Sequence, residues 1–385
     1  MQRRNTEHIR MPGSRRRLTV PGLDRIFDWM TRGYNAASRA MGDRGLLPPY
    51  RLECELTYRC NCRCEHCYQS RDSESVASYP RETMTVDDWL RIALETPPWT
   101  LITLTGGEPM LMEGFSTLLD RLGRVRPIIL LSNATLLNAE IRRLLIERRV
   151  LLLGTALYGP EAYHDAFTGH PGAFAKTLAN LEALQREKRA AGRGPLLDFK
   201  VAVDEGNVEH VPELVDMAHK LDAEIMTFSL VYRNDAMLNP QLRDSIDDAA
   251  FERHYPFGPE EANARERFAE TFSKLVQEGR KGRTRFRFYP PFRGERDVRL
   301  FFETPERLDR RLRPCFNPWG NLVISPLGEA YPCLSLRLGN VSDTSLRELW
   351  RGSAFHAFRR RIRERGTLPA CWGCCYVSPD FAERR

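Results

Sequence analysis

The 385-residue chain lacks any apolar run approaching the ~18 residues that a membrane-spanning helix needs. Its opening stretch, "MQRRNTEHIRMPGSRRRLTV", also lacks the apolar segment of a secretory signal. With neither anchor nor export signal in view, the chain reads as cytoplasmic. Internal repeats and low-complexity segments are missing too. So is a strong excess of one charge: residues 1–17 hold six Arg and one Glu and so supply +5 of the formal +7, leaving the remainder almost balanced. That distribution speaks against a nucleic-acid partner and reads as a solvated basic tail. Cysteine is absent between Cys67 and Cys315, although the chain holds 10. Crowded thiols in a cytosolic chain of this size point to metal or redox chemistry and not to a disulfide framework.

What is there suffices for a large core, with 42% hydrophobic and 28% charged residues. The cysteine-free middle alternates strand-like and helix-like segments. The strands read as 50–57, 100–105, 127–133, 150–158, 196–204 and 223–232. Helical patterns lie between them, among them "TVDDWLRIALE", where Thr85 and Asp88 form a capping-box pair. Residues 22–41 form a further amphipathic pattern that packs on this unit. Such alternation implies a parallel sheet with right-handed crossovers, either an open doubly wound sheet or a partly closed barrel, with functional groups at the carboxyl ends of the strands.

Two motifs fall at such ends. After the first strand comes "CNCRCEHCY", in which Cys60, Cys64 and Cys67 put three thiolates on one short loop. Three ligands suit a cubane with one open iron, while His66 as a fourth ligand would suit zinc. After the second strand comes "TGGEP", whose glycines allow close backbone approach and whose carboxylate can hold an amine. Near the carboxyl terminus, Cys315 and Cys333 bracket a hairpin turning at "PLGE", and "CWGCC" adds Cys371 and Cys374. Four thiolates suit one fully ligated cluster or one zinc ion, and spacing alone does not separate these.

Taken together, the motifs resemble the radical S-adenosylmethionine (SAM) superfamily over residues 48–232, and the C-terminal segment resembles its SPASM/twitch extensions. The resemblance implies a partial (β/α)6 TIM-like barrel in which Cys60, Cys64 and Cys67 ligate a [4Fe-4S] cluster whose fourth iron binds SAM. It further implies that Gly106, Gly107 and Glu108 bind the methionine amine, that Ser132 and Asn133 lie near the ribose, and that Tyr68 lies near the adenine. Relatives commonly carry glycine where this chain has Ala134. Cys315, Cys333, Cys371 and Cys374 would ligate one auxiliary [4Fe-4S] cluster, with Cys375 an adjacent spare. The auxiliary cluster would accept an electron from the substrate, relay electrons, or staple the fold. A flavodoxin- or ferredoxin-type electron donor is the implied partner. Cys62 reads as a bystander and Cys54 as buried core.

The domain plan that follows is a basic tail and helix (1–47), the barrel core (48–232), a helical bridging segment (233–310) and the auxiliary cluster domain (311–385). Strand alternation adds that Glu53 and Glu55, together with Asp198 and Lys200, face the barrel lumen. These make Glu53, Glu55 and Lys200 the candidates for binding a polar, amine-bearing substrate, with Lys200 also a candidate partner of the SAM carboxylate. The alternative is that these charges only neutralise one another. His164 and Asp165 read as loop and cap groups. The leading expectation is a radical-SAM oxidation of a small polar metabolite. A peptide maturase is the alternative, disfavoured because the roughly 45 residues before the barrel look too few for a leader-recognition domain. A non-enzymatic iron or zinc protein is the third reading.

Overall fold

The computed structural model describes residues 23–42, 47–67, 84–231, 262–279, 284–303, 308, 312–333, 336–368, 371, 374 and 377–381. Tyr68, Cys375, the Arg-rich tail and residues 232–261 of the bridging segment lie outside them.

One ten-stranded sheet organises these residues. Strands β1 (Arg51–Glu55), β2 (Leu101–Thr105), β3 (Ile128–Leu131), β4 (Val150–Ala156), β5 (Leu196–Val203), β6 (Ile225–Leu230) and β7 (Arg285–Tyr289) lie side by side in chain order, all parallel. On the other side of β1 comes β8 (Asn321–Ile324), also parallel, then β9 (Glu329–Tyr331) and β10 (Gly339–Asn340), which are antiparallel. The sheet stays open, with β10 and β7 as its edges. This is the partial-barrel architecture that the sequence implied.

Helices link the parallel strands: α2 (Val86–Leu94), α3 (Phe115–Val125), α4 (Ala139–Glu147), α5 (Glu161–Thr168) with α6 (Ala173–Ala191), and α7 (Val211–Lys220), while α1 (Leu23–Ala40) precedes β1. Helix α2 starts where the capping box predicts: Thr85 Oγ1 accepts from the Asp88 N–H at 3.2 Å, and the Asp88 carboxylate accepts from the Thr85 N–H at 3.0 Å. Period-two alternation decides which strand face these helices cover. Leu52, Cys54 and Leu56 of the first strand and Leu197, Phe199, Val201 and Val203 of the fifth all join the buried core with the helices. Glu53, Glu55, Asp198 and Lys200 consequently line the opposite, inner face.

Two features depart from the expectation. The segment 233–310, read as helical, also carries β7 between α8 (Ala262–Glu278) and α9 (Glu295–Glu303). In "RFRFY" the phenylalanines point outward, and Phe286 and Phe288 meet Phe228, Phe272 and Phe292 in an aromatic cluster that also takes in Phe268, Phe301 and Phe302. Phe286 and Phe288 are partly buried in this cluster, and that apolar contact holds the short strand on the edge of the sheet. Its arginines, Arg285 and Arg287, alternate onto the inner face. Second, the C-terminal hairpin does not stand apart. It turns at "PLGE" as expected, with Gly328 at φ 77°, but β8 pairs with β1 and extends the barrel sheet. The last helices, α10 (Leu346–Arg351) and α11 (Ser353–Arg365), pack behind it.

Candidate functional site

The loops after β1, β2 and β3 meet at the carboxyl end of the sheet, and backbone geometry dictates how. Gly107 N–H donates to the Thr57 carbonyl at 2.7 Å and Glu108 N–H to the Arg59 carbonyl at 2.8 Å. The two chains run so close that a Cβ on Gly106 would come within 2.6 Å of the Thr57 carbonyl oxygen, and one on Gly107 would collide with the Arg59 carbonyl. Gly106 also holds φ 125°, a conformation open only to glycine at low cost. The glycine pair is therefore needed to seat the cysteine loop against the second strand's loop, beside any contact to a ligand.

Glu108 is fully buried. Its carboxylate accepts from Ser132 Oγ at 2.9 and 3.0 Å, from the Asn133 N–H at 2.9 Å and from the Met110 N–H at 3.2 Å. Burial nevertheless dominates and pushes its pKa up to about 7. Asn133 continues the network by donating from Nδ2 to Asn61 Oδ1 at 2.9 Å, while Asn61 Nδ2 donates to Thr135 Oγ1 at 2.8 Å. Gly107, Glu108, Ser132 and Asn133 are thus brought together with Asn61 and Thr135, which sequence reasoning had not singled out. Ala134 sits at φ 60°, a left-handed conformation that glycine adopts at lower cost.

The cysteine loop, residues 56–67, has a second set of supports. Arg63 N–H donates to the Thr168 carbonyl at 2.7 Å, Glu65 N–H to the Phe167 carbonyl at 3.1 Å, and His170 Nδ1–H to the Asn61 carbonyl at 2.6 Å. These acceptors and this donor belong to α5 and the turn after it. Asp165 shapes that turn by accepting from the N–H groups of Gly172 at 2.6 Å and Phe174 at 2.9 Å, which caps α6. His164 is buried, and burial lowers its pKa to about 4, so it stays neutral. The cap role expected of Asp165 matches these contacts, whereas His164, read as a loop group, lies within α5. His66 is engaged elsewhere: its Nε2 pairs with the Asp204 carboxylate at the end of β5 and its ring meets Phe167 edge-on.

Exposure sorts the five thiols of this region. Cys54 and Cys62 are buried, Cys60 is exposed, and Cys64 and Cys67 are half-buried. A hydrogen bond from the Cys62 thiol lowers the Cys60 pKa to about 7, and the same thiol lowers Cys64. Cys62 itself is raised by those bonds and by burial. Half-buried Tyr158, whose ring lies tilted against Phe167 with centroids 4.0 Å apart, also donates to Cys64. Cys60, Cys64 and Cys67 share one loop and are each at least partly accessible, the donor set that an iron-sulfur cluster with one open iron takes, although no three metal-ligating side chains are gathered into one site among the described residues. In the C-terminal part, Cys315 is buried and Cys333, Cys371 and Cys374 are half-buried around the end of the core. Leu368 N–H donates to Cys371 Sγ at 3.3 Å, a bond of the kind that supports cluster thiolates, and burial raises the Cys371 pKa.

With this geometry in hand, comparison with known proteins gives the class. A family model described as the radical SAM superfamily matches residues 54–222. A second, described as the SPASM iron-sulfur cluster-binding domain, matches residues 315–375. Among curated proteins, the subtilosin biosynthesis protein AlbA of Bacillus subtilis is 22% identical, over 89% of this chain and 71% of its own. An AdoMet-dependent heme synthase of Methanosarcina barkeri is 25% identical, over 85% of this chain and 88% of its own. Among solved structures, Streptococcus suis SuiB bound to S-adenosylmethionine aligns with a TM-score of 0.59 at 14% identity, covering 89% of this chain and 74% of that one. The peptide-free structure of anSMEcpe with AdoMet aligns at 0.55 and 18%, covering 81% and 83%.

The chain belongs to the radical SAM superfamily of enzymes. Within it, the chain is a SPASM-containing member whose cofactors are SAM and [4Fe-4S] clusters. No helix among the described residues is long and apolar enough to cross a membrane.

Proposed function

We propose that this radical SAM enzyme oxidises a small polar metabolite bound on the inner face of the sheet. The observation that carries the reading is the composition of that face: Glu53, Glu55, Asp198, Lys200, Thr227 and Arg287 replace the apolar filling of an ordinary closed barrel. Cys60, Cys64 and Cys67 would hold the SAM-binding cluster, with Gly106, Gly107, Glu108, Ser132 and Asn133 beside the cofactor. Cys315, Cys333, Cys371 and Cys374 would hold one auxiliary cluster. When bound, these groups supply a 5'-deoxyadenosyl radical that takes one substrate hydrogen atom, and an acceptor for the second electron while the accompanying proton leaves to solvent.

The chain's own part is positional. The hydrogen-bonded loops Thr57–Arg59, Gly106–Glu108 and Ser132–Thr135 hold the cofactor motifs in one register, and the polar lumen orients the substrate carbon. Likeness to heme synthases over most of the chain supports a cofactor-sized substrate. The likeness to AlbA, a bacteriocin biosynthesis protein, favours a second reading in which the substrate is a peptide. Anaerobic reconstitution with iron and sulfide, then SAM and dithionite, tests the reading through 5'-deoxyadenosine measured by mass spectrometry. Product is expected from the native chain and not from Cys60→Ala. Its formation should rise when the small-molecule fraction of a host extract is added. A rise only with the polypeptide fraction would replace the metabolite reading with the peptide one.

A further inference from the structure

Resting on that reading and deepening it, we infer that Lys200 and Arg287 form a subsite for a carboxylate group of the substrate. Sheet register sets Lys200, Thr227 and Arg287 side by side across β5, β6 and β7. Asp198 lies one inward position deeper and is 1% exposed. Its carboxylate accepts from Thr227 Oγ1 at 2.7 Å and from Lys200 Nζ at 2.8 Å, while Nη1 of Arg287 stands 3.9 Å away. Two cations therefore share one buried carboxylate.

Among the described residues Arg287 has no ion-pair partner other than Asp198. Between β1 and β5 the inward positions Thr103, Ile129, Leu131, Gly154 and Ala156 are uncharged, so Glu53 and Glu55 are three strands removed from the pair. Arg287 makes no hydrogen bond among the described residues, although a guanidinium carries five donors, and its side chain is 31% exposed. The Lys200 side chain is 37% exposed. Gly154 makes room for it: a Cβ there would come within 2.7 Å of Lys200 Cε and of Leu131 Cδ2. A planar fork beside a mobile ammonium, facing a lumen, matches a carboxylate in geometry and charge. The SAM motifs follow β1, β2 and β3, on the other side of the inner face, so an acid held at β5–β7 lies opposite the cofactor.

Phenylglyoxal footprinting of the reconstituted holoenzyme tests the subsite, with adduct formation at Arg287 followed by peptide mass spectrometry. Succinate and glutarate are the probes and their diamides the controls. Labelling of Arg287 is expected to slow several-fold in a dicarboxylate and not in a diamide, and Lys200→Met should weaken that protection. Asp198→Asn removes the internal counter-charge, so protection should set in at lower dicarboxylate concentration. SAM and its decarboxylated analogue form a second arm. Protection by SAM that the analogue lacks would give the pair to the cofactor's own carboxylate and overturn the substrate assignment. Equal labelling of native Arg287 in every mixture would overturn the subsite itself. Formation of 5'-deoxyadenosine from SAM and dithionite, read in parallel without added acids, reports separately on the radical chemistry.

Discussion

At the scale of single residues, Glu108 concentrates the tension of the site. A carboxyl group with three donors would ordinarily titrate low, yet complete burial carries it from 4.5 to about 7. Between these values the folded chain keeps a proton that the unfolded chain releases. Glu108 therefore stabilises the fold fully below its unfolded pKa, and that contribution, up to about 3 kcal/mol, is lost as pH rises through 7. Glu108→Gln keeps the neutral shape and cannot ionise. Thermal unfolding of the cluster-free chain between about pH 5 and pH 8 should show the native protein losing several degrees relative to the variant. Parallel curves would show that Glu108 does not titrate in this window. Ala134 illustrates a different residue-level cost, since its left-handed backbone burdens a turn that glycine would relieve.

At the scale of elements, the turn between α5 and α6 is the buttress of the cysteine loop. Helix α6 begins at Gly172, which has no side chain to cap it, and Asp165 supplies the missing acceptor from the preceding helix. Because the same turn presents the Phe167 and Thr168 carbonyls and His170 to the loop, its loss should propagate to Cys60, Cys64 and Cys67. Asp165→Ala is expected to cost about 1–2 kcal/mol and to lower the iron and sulfide bound on reconstitution, while Asp165→Asn, which retains an acceptor oxygen, should keep most of both. Normal iron content in the alanine variant would separate the turn from the site. Strand β7 makes the complementary point. Its phenylalanines hold it to the sheet, and this is what delivers Arg287 to the inner face.

At the scale of the whole molecule, the pairing of β8 with β1 makes the cluster-binding C-terminal part continuous with the barrel. Strand β1 is flanked by β2 on one side and β8 on the other, and it leads directly into the cysteine loop. Arg359, fully buried, reinforces the junction: it stacks on Trp350 at 4.1 Å and donates to the Pro318 and Trp350 carbonyls at 2.8 and 2.7 Å. Trp350 in turn donates to the Leu47 carbonyl at 2.8 Å. Metal binding by a small cysteine-rich unit is folding energy, and here it should be felt beyond that unit. In Cys333→Ala, hydrogen exchange is expected to accelerate in β8 and β9 and also in residues 51–55. An increase confined to 315–381 would mean that the two parts are energetically separate.

Much of this molecule was legible in its sequence because the governing interactions are local or periodic. Alternation in "YRLECELT" and "LLDFKVAVD" determined which side chains face the helices, and so placed Glu53, Glu55, Asp198 and Lys200 inside. The Thr85–Asp88 box marked the start of a helix, the "PLGE" turn marked a hairpin, and the two cysteine groups with "TGGEP" determined the family. The rest depends on partners distant in the chain. Only the tertiary structure brought β8 beside β1, set Asn61 against Thr135 and Asn133, and turned the Gly106–Gly107 pair against the Arg59 carbonyl. It also put Arg287 of an unrecognised strand next to Asp198 and Lys200. Such contacts follow from the packing of whole elements, where hydrophobic burial chooses the neighbour, and no pattern within either segment records which neighbour that will be.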